Sequence, residues 1–378
     1  MLFAFLSPPP GRIRSPVIEY RGFQRGMAMD KFGSIPPPAG PALRGPRPPG
    51  SFWTVRRYGV AQMVALGLLA TGILLLTIGS FSSIFATQPA LRLGTNPWIG
   101  YQPLTIARDA NQFSERVVLV QGRSAATVME ALRIGTIDAA AITLDEAIRI
   151  ADAGTPVSIA LVLDISDGAD VVLAKSRQVA EAGPRGRKVG VETEAVGAYL
   201  LHRWLDRLGI PLSAIEVVDV VAAMHQRAFA ELGVDFLVTF EPLASNDFAQ
   251  TAIRVFDSRE IPGEIVDVLA VRQDRIAAQR ENLQHVVDGW FAGLALLDRR
   301  SADSIERIAR HQDITPDEVR RMLGRLHFPD RVENARMFRQ GDLQHSVELL
   351  RNWLATENPA GRSHHANLDY STSALGRR

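Results

Sequence analysis

The side chains best suited to chemistry lie where predicted strands give way to turns, and they are equipped to hold a small molecule. Trp98 and Tyr101 offer aromatic faces that stack on a ligand or wall it in. Asn96, Ser124, Thr143 and Ser166 supply an amide and hydroxyls that fix polar groups, and Val196 adds an apolar contact. Asp164, Asp170, Glu192 and Glu241 make the set acidic, which suits a ligand bearing an amine or ring N–H groups. Each of these acids has an alternative as a solvated or hinge-bonding group. A bare nitrate or sulfonate needs Arg and free helix N-termini, and only Arg123 beside Ser124 offers that. Ser124 as a plain helix cap is the compatible alternative.

Bond-making chemistry finds little support. There is no Walker-type glycine loop, no His pair at metal-ligand spacing on a helix, and no Gly-x-Ser-x-Gly elbow. The chain has no cysteine, which excludes disulfides, thiolate catalysis, Cys-ligated metal and a lipid anchor on an N-terminal cysteine. His364-His365 falls in a polar tail, and His202 and His225 read as surface or packing residues of helices. No cofactor and no metal is expected.

The elements that must position the set alternate. Leu91 to Leu93 reads as a strand broken by Gly94-Thr95-Asn96-Pro97, with a helix from Leu104. Arg116–Val120, Asp138–Ile142 and Val157–Leu163 are further strands, and Thr143 with Glu146 forms a capping box at a helix start. The residues Ala174 to Gly186 read as a crossover. After it come strands at Arg187–Val191, Ile215–Val220, Phe236–Thr239 and Ile253–Phe256, and a return crossover at Val266–Val271. Arg275 to Ala355 is helical. In an open α/β sheet the ligand site sits beyond the carboxyl ends of the strands, where the residues named above fall.

Four stretches in order carry a family resemblance: Asn96-Pro97-Trp98-Ile99-Gly100-Tyr101-Gln102-Pro103-Leu104, Gly135-Thr136-Ile137-Asp138-Ala139-Ala140, Asp164 to Asp170, and Val234 to Pro242. From about Leu91 to about Trp353 the chain resembles solute-binding proteins of the nitrate/sulfonate/taurine branch of ABC importers, which includes binders of thiamine pyrimidine precursors. The resemblance implies a type II periplasmic binding protein fold: two lobes with open, mostly parallel sheets, flanking helices and two hinge crossings. Residues 90–174 and 266–356 would form lobe one and 175–265 lobe two. It further implies capture of a small solute between the lobes, delivery to an ABC permease and its ATPase, and no reaction. Glu241-Pro242 matches the family's Glu-Pro after the third lobe-two strand. A sensor or scaffold using the same clamshell is the second reading. A pyrimidine-biosynthesis enzyme of this fold is the third, and is disfavoured because such an enzyme carries a Cys-rich iron site and a pyridoxal-phosphate lysine. Here only Lys31, Lys175 and Lys188 exist.

The 378-residue chain has a net charge of only +1, yet residues 1–57 hold nine Lys and Arg against Glu19 and Asp30. A basic head on an acidic body reads as topology, and nucleic acid is not an expected partner. The head is rich in proline, so a disordered leader is expected, with a docking segment or a start at Met27 or Met29 as alternatives. Residues 58–86 carry no charge, long enough for one membrane-spanning helix. Arg56-Arg57 before it places the head in the cytoplasm and the body outside the inner membrane. An uncleaved anchor is the reading, and cleavage near Ala86 is the alternative. Residues 357–378 are expected to be a frayed tail.

Overall fold

The computed structural model describes residues 59–84, 89–246, 249, 251–298, 302–357 and 368–369. The proline-rich head, the cleavage alternative at Ala86 and His364-His365 lie outside them. The chain forms two units that part at Gly79 and Ser80. Helix α1 (Val60–Ile84) covers the uncharged run, and its side chains Val60, Met63, Leu66, Leu68 and Leu69 are exposed. Among the described residues no helix is long and apolar enough to cross a membrane, and the α1 side chains at 61 and 75–84 lie outside the description.

The body holds two sheets. The first is built from β1 (Leu91–Thr95), β2 (Val117–Gln121), β3 (Ala139–Thr143), β4 (Val157–Ser166), β10 (Val266–Arg272) and β11 (Leu326–His327), in the order β11-β4-β10-β3-β1-β2. The second is built from β5 (Asp170–Ala174), β6 (Lys188–Val191), β7 (Glu216–Asp219), β8 (Phe236–Phe240) and β9 (Ile253–Asp257), in the order β7-β6-β8-β5-β9. Strands β1, β2 and β3 run parallel, as do β6, β7 and β8. The expected parallel character is only partial. Strand β10 runs antiparallel to both β3 and β4, and β5 antiparallel to both β8 and β9, because these are the strands by which the chain enters one lobe from the other.

The lobe boundary differs from the one expected. Asp170–Ala174 belongs to the second sheet, so the first crossing is the short turn 167–169 and not the polar stretch after Ala174. Gly168 makes that turn with φ of 100°, a conformation that L side chains rarely adopt. The second crossing is residues 258–265, and Val266–Arg272 is already a central lobe-one strand. The sequence conceals this because β4 and β5 are both mostly apolar and almost wholly buried.

Lobe one is completed by helices α2 (Gln102–Asp109), α3 (Ala125–Arg133), α4 (Leu144–Asp152) and the C-terminal series from α8 (Gln273–Asp298) through α11 (Arg331–Gln340) to α12 (Asp342–Glu357); lobe two carries α6 (Gly197–Leu208). Trp290 on α8 is fully buried among Leu91, Leu93 and Leu161 in one core cluster. The tail is not wholly free, since Leu368 is buried and the Asp369 carbonyl accepts from Ile159 N–H on β4 at 3.1 Å.

Where the β4–β10 register slips, Val162 is served by a side chain. Asn334 on α11 accepts from Val162 N–H at 2.9 Å and donates to its carbonyl at 3.0 Å. Asn334→Ala strands both groups in the core and should lower stability by about 2 kcal/mol. A urea titration reads this, and an unchanged midpoint would show that the slip repairs itself.

Candidate functional site

A cavity of about 210 Å³ lies between the lobes, with wall residues from both. From lobe one come Asn96, Trp98, Tyr101, Arg123, Ser124, Thr143, Glu146 and Asp267; from lobe two come Asp170, Glu192, Val196, Ala223, His225, Thr239 and Phe240. Eight of the eleven expected residues therefore share one cavity: Asn96, Trp98, Tyr101, Ser124, Thr143, Asp170, Glu192 and Val196.

The β1–α2 turn builds one wall. Asn96 Oδ1 accepts from Trp98 N–H at 2.9 Å, closing the turn that lifts the indole over the sheet edge. Trp98 Nε1 then donates to Asp164 at 3.3 Å from Oδ1 and 3.4 Å from Oδ2. Gly100 allows this approach, since a Cβ there would come within 2.3 Å of Asp164 Oδ2. Across the lobes Trp98 meets the edge of Phe240, the ring centroids 5.8 Å apart. Tyr101 donates its hydroxyl to Asp267 Oδ1.

Helix starts shape the rest of lobe one's side. Ser124 caps α3 by accepting from Thr127 N–H at 3.3 Å, so its hydroxyl is engaged as the plain-cap reading expects. Glu146 accepts from Thr143 N–H at 3.1 Å, and the Thr143 hydroxyl donates to Asp145 at 2.7 Å. Glu146 is thus both the helix-starting acid expected from the capping box and part of the cavity wall.

Three expected contacts do not reach the cavity. Asp164 stands behind Trp98, spent on the indole. Ser166 bonds across the two crossings to Ser258 Oγ at 2.8 Å and receives Asp170 N–H at 3.2 Å, so it pins the hinge. Glu241 is wholly buried and faces away, with Oε1 accepting from Arg254 Nη2 at 2.6 Å and from Arg325. Arg325 belongs to lobe one and Glu241 to lobe two, so this carboxylate ties the lobes together at the hinge.

Asp267, His225 and Thr239 were not among the expected residues. His225 is buried, as the packing alternative expects, and its Nδ1 lies 2.9 Å from Thr239 Oγ1. Burial lowers its pKa to about 4, so the ring is neutral at ordinary pH. The strand-end rule applied to β10 would not have found Asp267, because β10 runs antiparallel and presents its first turn, not its end, to the cleft.

The electrostatics are dominated by buried carboxyls. Burial lifts Glu146 to about 8, helped by Asp145, and lifts Asp170 to about 7. It raises Asp164 to about 7 against the hydrogen bond from Trp98. Asp267 is held well above the carboxylate range by burial and then by Asp164, and Glu192 is raised by burial and then by Asp219. Among the described residues that line the cavity, Arg123 is the sole permanent cation. Among the described residues no group of three or more His, Cys, Asp or Glu is placed to hold a metal ion. The arrangement sets carboxyls, hydroxyls and aromatic rings from both lobes around one space.

The architecture is shared with solved structures of binding components. A ligand-binding component of an ABC-type import system from Staphylococcus aureus, solved with zinc bound, superposes with a TM-score of 0.63 at 14% identity, covering 76% of this chain and 98% of that one. The alkanesulfonate-binding protein SsuA of Xanthomonas axonopodis pv. citri, bound to MOPS, gives a TM-score of 0.57 at 20% identity over 70% and 96%. The periplasmic nitrate-binding protein NrtA of Synechocystis PCC 6803 gives 0.52 at 14% identity over 76% and 92%. At these identities the likeness establishes the two-sheet periplasmic-binding-protein fold. No curated protein matches the sequence. The family model does: it spans residues 86–311, well over half of the chain, and the chain belongs to the NMT1-like family.

Proposed function

We propose that the protein is an extracytoplasmic solute-binding protein that takes a small polar solute between its lobes and delivers it to an ABC permease and its ATPase. The observation that carries this reading is the interlobe cavity itself. It is walled by both lobes, and it presents buried polar atoms, Asp170 Oδ2, Glu192 Oε1, Asp267 Oδ2 and His225 Nε2, that no protein group satisfies. Buried polar groups are almost always paired, so four around one cavity point to a ligand that completes them. Membership of the NMT1-like family and the likeness to import-system binding components support the same reading. Inner-membrane anchoring is part of the proposal. It rests on the uncharged run at 58–86, the 25-residue length of α1 and the exposed apolar side chains along it.

The test is a solute screen by thermal shift, covering sulfonates, nitrate, amines and pyrimidines, followed by calorimetry on each hit. A true ligand raises the melting temperature by mass action and is recovered unchanged. Ala223, on the rim from lobe two, is exposed, so Ala223→Trp should fill the cavity without disturbing the core. Affinity for any hit should fall more than about tenfold while the unliganded melt is unchanged. Conversion of a hit into product would overturn the binding-protein reading, and full affinity in the Trp variant would place the ligand elsewhere.

A further inference from the structure

Seven carboxyl groups gather at the cavity, and they divide by what they touch. Asp145, Asp164 and Glu241 stand behind the wall and each has a partner, although Asp145 Oδ2 and Glu241 Oε2 accept no hydrogen bond. Asp145 accepts from Thr143 and lies 3.7 Å from Arg149, Asp164 accepts from Trp98, and Glu241 is held by Arg254 and Arg325. Glu146, Asp170, Glu192 and Asp267 form the wall. All seven are at most 7% exposed. Three of the wall oxygens, Asp170 Oδ2, Asp267 Oδ2 and Glu192 Oε1, accept no hydrogen bond and come from both lobes, while the Asp267 carboxyl also hydrogen-bonds to Asp164.

The charge around these oxygens is of one sign. Asp267 on β10 faces Asp164 from β4, Tyr101 from the turn after β1, Glu146 from α4 and Asp170 from β5. Asp170 faces Asp145 and Glu241 as well as Ser166. Of the neighbouring cations, Arg254 and Arg325 are engaged by Glu241 and Arg149 by Asp145, while Arg123 lines the cavity beside Ser124. The His225 ring is neutral. A buried carboxylate without a counter-charge holds its proton, and burial raises the proton affinity of each of the four wall acids accordingly. Nitrate or a sulfonate would set negative charge against this wall. An ammonium group would meet four wall carboxyls against the single cation Arg123, and the edges of Trp98, Tyr101 and Phe240 would hold an apolar body.

We propose that the ligand of this cavity is a small organic cation, an amine on an apolar or aromatic body, bound between Asp170 and Asp267. Where a carboxyl is protonated beforehand, binding exchanges its proton for the ammonium. The inference rests on the solute-binding reading above. The exchange balances simply: R–NH3+ enters, a carboxylic acid becomes the carboxylate that pairs with it, and H+ leaves to solvent.

The experiment is calorimetry on the full-length protein in detergent, with benzylammonium, butylammonium and 1,4-diaminobutane as cations and benzyl alcohol and benzenesulfonate as comparators. Titrations run at several pH values between about 5.5 and 7.5, in buffers of different ionisation enthalpy. At least one amine should bind more than about tenfold tighter than either comparator, with affinity rising by up to about tenfold per pH unit and about one proton released. Asp267→Asn and Asp170→Asn should each weaken the amine by more than about tenfold and reduce the proton release. At about pH 8 both should raise the melting temperature of the unliganded protein, because an uncompensated buried charge is gone. A lowered melting temperature at that pH would give the carboxyls a structural role and overturn the assignment. So would preferred binding of benzenesulfonate or failure of all three amines. If the amines fail but the solute screen yields an anionic or neutral ligand blocked by Ala223→Trp, the solute-binding reading survives and the cation inference alone is lost. If nothing binds in the cavity, the solute-binding reading itself has failed.

Discussion

Glu241→Gln should destabilise the unliganded protein by about 3 kcal/mol, although the residue does not line the cavity. Its carboxylate is completely buried and bridges two guanidinium groups, Arg254 from its own lobe and Arg325 from the other. The substitution keeps the shape and removes the charge. It leaves two partly buried cations facing one another and converts Oε1 from a charged acceptor of two bonds to a weaker one. Removing one partner of a fully buried pair costs about 3–5 kcal/mol; the two arginines are about one-third exposed, and solvent screening brings the expectation to the lower end. The crossings should loosen with it, because Arg254 also donates to the Gly168 carbonyl at 3.2 Å, within the first crossing. Denaturant titrations of Glu241→Gln, Arg325→Gln and the double variant form a cycle. Strong non-additivity is expected, since Arg325→Gln relieves the cation that Glu241→Gln strands. Additive effects, or a midpoint for Glu241→Gln equal to the parent, would mean that the triad is solvated and does not hold the lobes.

Glu241 also marks where reading the sequence stops. The Glu-Pro pair does lie at the end of a lobe-two strand, and strand ends do face the cleft. Which way one side chain turns there is set by residues far off in sequence, here Arg254 and Arg325, and no local pattern encodes them. Asp164 and Ser166 show the same limit. Both sit at the end of β4, but β4 runs on into the hinge, so its last residues serve the indole of Trp98 and the Ser258 hydroxyl. By contrast the turn Asn96 to Tyr101 is legible, because Asn, Pro and Gly dictate its shape locally. So is the capping box at Thr143 and Glu146. The alternation of strands and helices reveals the two lobes. It does not reveal the crossings, since β4, β5 and β10 are equally apolar and periodicity cannot distinguish a strand that stays in its lobe from one that leaves. Asp267 escapes notice for this reason: a crossover segment is not searched for wall residues, whereas a central antiparallel strand must be.

The unliganded protein should be most stable near about pH 4.5 and lose at least about 10 °C of melting temperature as the pH rises from there to about 8. The sign follows from the groups at the cavity. Glu146 titrates at about 8 in the folded chain, and Asp164 and Asp170 at about 7, all far above their unfolded values. The folded state therefore binds more protons than the unfolded state between roughly pH 4 and pH 8. Their contribution is full below the unfolded values and is lost as pH rises through the folded ones. His225 works in the opposite sense: its folded value of about 4 lies below the unfolded one, so its contribution is present above about pH 6.5 and is lost as pH falls towards 4. Three acids outweigh one histidine, and each tenfold change in proton affinity on folding is worth about 1.4 kcal/mol, so the fall on the alkaline side dominates. The surface carboxylates held low by arginine, such as Asp257 and Asp274, lose their contribution only in the acid range and leave this window untouched. Melts of the parent and of Asp170→Asn across this range decide the matter, the variant being expected to show the shallower fall. A melting temperature that is flat or rises from about pH 4.5 to about pH 8 would show that the acids are ionised without penalty, paired by water or cations already present. Should an amine bind as proposed, its stabilising effect must be largest on the alkaline side, where it supplies the positive charge that the departed protons no longer provide.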